Sequence, residues 1–143
     1  MRAIVGLPSR PSSAQDLAVA AAQSQILPLA ARPVGSSSVS GASGSLASTS
    51  LLVAGQAAAG MYEMCVYVVP TAAIGATLTF TAVFNDGRQA QSINVFSAIS
   101  LVALTPVSAR YTLHHAGGSA ISYGTTAVGG PTYDIYVTLV RLS

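Results

Sequence analysis

The chain has 143 residues, 51% hydrophobic and only 7% charged, with six arginines, no lysine, four carboxylates and a net charge of +2. An ordinary soluble domain carries about 25% charged residues, so this chain lacks the repulsive surface that keeps a monomer apart from its copies. Two surplus charges with no basic stripe exclude a phosphate-backbone binder, and one cysteine excludes an internal disulfide.

Residues 1–12 hold Pro8, Pro11, Arg2 and Arg10 and read as an extended arm. Ser13 with Asp16 resembles a capping box, and the alanine-rich run after it predicts a short helix over 14–25, ended by Pro28. A secretory leader is not expected, because Pro8, Pro11, Gln15 and Asp16 interrupt the place of its apolar stretch. No run is long and apolar enough for a transmembrane helix, and no membrane partner is expected. Arg32 to Ser50 contains the tract Gly35-Ser36-Ser37-Ser38-Val39-Ser40-Gly41-Ala42-Ser43-Gly44-Ser45, which by composition is a linker. Residues 1–47 are therefore expected to be an arm and linker, and residues 48–143 a β-sandwich domain.

From Leu51 the period is two. Leu51-Leu52-Val53 is a short apolar segment closed by Gly55. Met61 to Val69 alternates, with Tyr62, Met64, Val66 and Val68 on one face and Met61, Glu63, Cys65, Tyr67 and Val69 on the other, and Pro70 is expected to stop it. Ala76 to Phe84 puts Leu78, Phe80, Ala82 and Phe84 inward and Thr77, Thr79 and Thr81 outward. Asn85-Asp86-Gly87 supplies the residues a tight hairpin requires. Gln89, Gln91, Ile93 and Val95 share a face of the return strand, and the apolar run Phe96 to Thr105, ended by Pro106, reads as strand or buried crossover. Ser108 to His115 alternates around Tyr111 and Leu113, Gly117-Gly118 turns the chain, and Ser119 to Thr125 returns with Ile121 and Tyr123. After Gly129-Gly130-Pro131 the last strand places Tyr133, Ile135, Val137 and Leu139 on one face and Tyr136 and Val140 on the other. Seven or eight short strands with no helical pattern between them predict an all-β fold: an antiparallel β-sandwich or jelly roll preceded by an arm.

The sequence offers little chemistry. His114 and His115 are adjacent and point to opposite faces of a strand, so they cannot share a metal ion, and no other ligand lies at metal spacing. No Gly-x-Ser-x-Gly elbow or phosphate-binding glycine loop is present. Glu63 and Asp134 both fall in strands, where they could pair for glycoside hydrolysis or meet Arg110 or Arg141 at a subunit contact. Neither enzymatic activity nor a cofactor is expected. Cys65 reads as a small buried hydrophobe.

The strand opening Gly60-Met61-Tyr62, the Asn85-Asp86-Gly87 hairpin, the return Gly117-Gly118-Ser119-Ala120-Ile121-Ser122-Tyr123 and the ending Tyr133-Asp134-Ile135-Tyr136-Val137-Thr138-Leu139 resemble small structural proteins of tailed bacteriophages. They are similar to jelly-roll domains of head-decoration (cement) proteins, head fibres and tail-fibre parts. The resemblance covers the last two-thirds of the chain. It implies a homotrimer on the capsid surface of the virion, bound to the major capsid protein, with its arm reaching over neighbouring capsomers and no contact with nucleic acid. The expected assembly contacts are Arg2, Arg10, Leu17, Ile26, Leu27, Leu29 and Arg32 in the arm, with Tyr136 and Val140 on the last strand. The same resemblance leaves a tail-fibre or receptor-binding module as the alternative.

Overall fold

The computed structural model describes residues 32–143. The helix expected over 14–25 and the arm before it lie outside the described residues. Eight strands follow in order: β1 (Arg32–Ser43), β2 (Thr49–Leu52), β3 (Gly60–Ala72), β4 (Thr77–Asn85), β5 (Ala90–Ser100), β6 (Val107–His115), β7 (Ile121–Val128) and β8 (Thr132–Arg141). They form two four-stranded antiparallel sheets, ordered β1-β8-β3-β6 and β2-β7-β4-β5. There is no helix among the described residues.

The core sits between the sheets and comes from the alternation visible in the sequence. Tyr62, Met64, Val66 and Val68 of β3 face Leu78, Phe80, Ala82 and Phe84 of β4 across the sandwich, joined by Tyr133, Ile135, Val137 and Leu139 of β8. At its centre Phe80 stacks between Tyr123 at 5.3 Å and Phe96 at 5.8 Å. His115 is fully buried: its Nδ1 accepts from Asn85 N–H, its Nε2 donates to the Ser119 carbonyl, and its ring meets Tyr62 edge-on. His114, one residue earlier, is exposed on the other face, as strand alternation requires.

Three local expectations are corrected. The Gly/Ser tract is not a linker but strand β1, so among the described residues the sandwich includes Arg32–Ser43 and does not start at residue 48. Its backbone pairs along β8 from Arg32↔Arg141 to Ser43↔Thr132. Its small residues alternate, with Gly35, Ser37 and Val39 turned toward the core and Ser36, Ser38 and Ser40 toward solvent. Ser37 Oγ meets the Tyr123 hydroxyl at 2.9 Å, and Gly41 takes φ +66° at the bulge between Val39 and Ala42. Gly35 admits no side chain, because a Cβ there would collide with the Leu51 carbonyl oxygen.

The second correction is at Pro70, which does not end β3. Pairing with β6 stops at Val68, so the missing N–H of Pro70 leaves no gap in a ladder, while its carbonyl accepts from Leu104 N–H at 2.7 Å. The third is the apolar run after Phe96. It continues β5 only to Ser100, then becomes a loop in which Leu101 is buried but Val102 and Leu104 are exposed.

Candidate interaction surfaces

Two surfaces of the sandwich carry side chains that the core does not use. The first is the end formed by the β3–β4 loop, the β5–β6 loop and the β7–β8 turn. Leu101 N–H bonds to the Ala76 carbonyl, Leu104 N–H to Pro70, and Gly129 packs against Ala76, so the three connections are held together. On them stand Ile74 (101% exposed), Leu104 (76%), Val128 (65%) and Val102 (60%). Leu104 has φ +62°, the left-handed region that a leucine enters at a cost of about 1–2 kcal/mol. A strained backbone that displays a leucine to solvent calls for a function. Several large apolar side chains at one end are the usual mark of a protein contact.

The second surface is the outer face of the sheet β1-β8-β3-β6. Register places Tyr67 beside Tyr136 on one side and Ser108 on the other, and Cys65 beside Thr138 and Arg110. The Tyr67 and Tyr136 rings lie 6.3 Å apart with a 50° tilt, and both are nearly half exposed. Next to them is a depression of about 450 Å³ lined by Cys65, Tyr67, Ser108, Arg110, Tyr136 and Thr138. Cys65 is half-buried on this outer face and not in the core; burial first, and the neighbouring Glu63 next, push its thiol above the ordinary value.

The expected assembly residues divide accordingly. Tyr136 and Val140 do share the outer face of β8, exposed and half-buried respectively. Arg32 is exposed at the start of β1, opposite Arg141, at the end of the sandwich away from the apolar loops. Arg2, Arg10, Leu17, Ile26, Leu27 and Leu29 lie outside the described residues. Ile74, Val102, Leu104 and Val128 were not among the sequence candidates. Ile74 is a single apolar residue between Ala73 and Gly75, and Val102 and Leu104 sit in a run that reads as core.

Asp134, Arg141 and Asp86 have structural partners. Glu63 and Asp134 do not meet: Asp134 lies opposite Val69, six residues along β3 from Glu63, or roughly 20 Å at strand rise. A hydrolytic carboxylate pair needs roughly 5–9.5 Å. Asp134 instead accepts from Gly41 N–H at 2.7 Å and Ser40 Oγ at 3.1 Å. Arg141 donates to the Ala59 and Ser143 carbonyls and covers the Tyr62 ring at 5.9 Å. Asp86 holds the β4–β5 hairpin. Hydrogen bonds from the Gln89 and Arg88 N–H groups, and then from the Gln91 side chain, keep its carboxyl below the usual value. Among the described residues no cluster of three or more His, Cys, Asp or Glu could hold a metal ion.

No family model matches the chain, and no curated protein matches it in sequence. Solved structures do. The VP2 protein of infectious bursal disease virus, in T=1 particles, superposes with a TM-score of 0.52 at 13% identity, over 78% of this chain and 32% of VP2. A xylan-binding CBM22-1 domain from Paenibacillus barcinonensis superposes with a TM-score of 0.47 at 20% identity, over 66% of this chain and 62% of that domain. The chain thus spans about a third of VP2 and less than two-thirds of the xylan-binding domain. At these identities the likeness is one of fold, and that fold is an antiparallel jelly-roll β-sandwich.

Proposed function

We propose that this chain is a virion structural protein, a capsid decoration protein that stabilises a phage head by burying surface across capsomers. The observation that carries the reading is the apolar loop end. Ile74, Val102, Leu104 and Val128 stand in solvent on a chain with too few charges to remain an isolated particle comfortably. The jelly-roll fold shared with VP2, and the phage-like strand and turn pattern of the last two-thirds, support it. The partners are the major capsid protein and copies of the chain itself, in the trimer that the resemblance implies. The protein acts without a catalytic step or cofactor. Binding the assembled shell and not its free subunits stabilises the shell by mass action.

In this reading the apolar end makes a principal contact, in addition to the arm that the resemblance implies. Leu104→Asp places a charge in that contact while leaving the core untouched. The variant is expected to keep the parent's unfolding midpoint and to co-sediment at least roughly tenfold more weakly with shells from a phage lacking the chain, since a buried unpaired charge is costly. Equal binding by parent and variant would remove the apolar end from the account. The second reading, a tail-fibre or receptor-binding module, is favoured by the tyrosine-bearing outer face, which has the form of a ligand site.

A further inference from the structure

The outer face of the sheet β1-β8-β3-β6 contains two rows that cross three strands. One is Tyr136–Tyr67–Ser108, the other Thr138–Cys65–Arg110. Neighbouring strands lie roughly 4.8 Å apart, so aromatic rings, hydroxyls and a guanidinium are presented together within a few ångströms. The depression between them, about 450 Å³, falls within the range of small-molecule sites. Its floor is sheet backbone, so the arrangement is built before any ligand arrives.

We infer that this depression binds a neutral oligosaccharide. A sugar ring has an apolar face of C–H groups and a rim of hydroxyls. The tilted, half-exposed rings of Tyr67 and Tyr136 offer apolar faces to the first. Ser108, Thr138 and Arg110 offer donors and acceptors to the second. An uncharged ligand suits the site because its guanidinium has a carboxylate nearby: Arg110 stands opposite Cys65 in the register, and the Glu63 carboxylate lies 3.7 Å from the Cys65 thiol. A second copy of the chain fits this face less well. Ser36, Ser38, Ser108, Thr112 and Thr138 all project from it, and sheet-to-sheet packing would strip water from their hydroxyls without partners. The inference goes beyond the decoration reading and does not depend on it, since the apolar loops lie at an end of the sandwich and this site lies on its flank.

The test is a display of neutral and uronic-acid oligosaccharides probed with the purified chain, followed by calorimetry with the best neutral hexasaccharide. The expected result is binding to a neutral glycan, weakened about tenfold or more by Tyr67→Ala and by Tyr136→Ala, each with an unchanged unfolding midpoint. Leu104→Asp is expected to bind the glycan as the parent does, which separates this site from capsid docking. The inference is overturned by binding to no neutral glycan, by preference for the acidic ones, or by tyrosine variants that bind as well as the parent. It is equally overturned if Tyr136→Ala lowers the oligomeric mass of the free protein, because the face would then belong to a contact between copies.

Discussion

A chain that begins at Ser45 is expected to be unfolded or aggregated, while one that begins at Arg32 unfolds as a single cooperative unit. The difference between the two is β1. Without it the whole edge of β8, paired from Thr132 to Arg141, loses its neighbour. An uncovered, apolar edge strand is a template for aggregation. The core also opens at Ala42 and Val39, which pack on it, and at the Ser37–Tyr123 hydrogen bond. A domain is stable by about 5–15 kcal/mol in total, so losing one of eight strands removes a large share. Circular dichroism and size-exclusion chromatography of the two truncations check this. A soluble, cooperatively folding chain from Ser45 would show that β1 is dispensable. The pair also matters for any test of the arm, because a cut at Ser45 destroys the sandwich together with the arm, and a cut at Arg32 removes only residues 1–31.

Tyr133→Ala is expected to destabilise the domain by about 3–5 kcal/mol, the range for deleting a fully buried aromatic ring. Tyr133→Phe isolates the hydroxyl. That group donates to the Gly44 carbonyl at 2.7 Å and accepts from the Thr125 hydroxyl at 2.7 Å, while Thr125 Oγ1 accepts from Leu46 N–H at 2.8 Å. The chain of bonds pins the segment after β1 to β7 and β8. Burial pushes the Tyr133 phenol above its ordinary pKa, opposed in part by the Thr125 hydrogen bond. Removing the hydroxyl leaves the Gly44 carbonyl and the Thr125 hydroxyl short of a partner, at a cost of about 1–3 kcal/mol. Urea titrations of both variants measure the two quantities. Equal losses for Phe and Ala would mean that the ring contributes nothing, which its complete burial argues against.

What was legible in the sequence is whatever side-chain alternation encodes. The inward residues of β3, β4 and β8 were readable one by one, because each strand has one buried face and its register cannot slip without exposing every apolar group. The Asn85-Asp86-Gly87 turn was readable because Asp86 caps its own loop. The strand β1 was not readable. Its serines and glycines carry no apolar signal, and what orders it is backbone pairing with β8, a partner about a hundred residues away in sequence. Pro70 misled for a similar reason: whether a missing N–H matters depends on which neighbour is present. The tyrosine face was half visible. The alternation puts Tyr67 on the face opposite Tyr62 and Tyr136 on the face opposite Tyr133, but only the register β8-β3-β6 shows that these are one outer face and brings them together with Arg110. The apolar loop end was hidden because burial in a short apolar run cannot be told from display without the fold.

Imaging intact virions by electron cryomicroscopy tests the decoration reading most directly. The account predicts sandwich-sized density on the head shell, spanning capsomer boundaries, with the Ile74 and Leu104 loops against the shell and the Tyr67–Tyr136 face to the side. Density confined to the tail would contradict it.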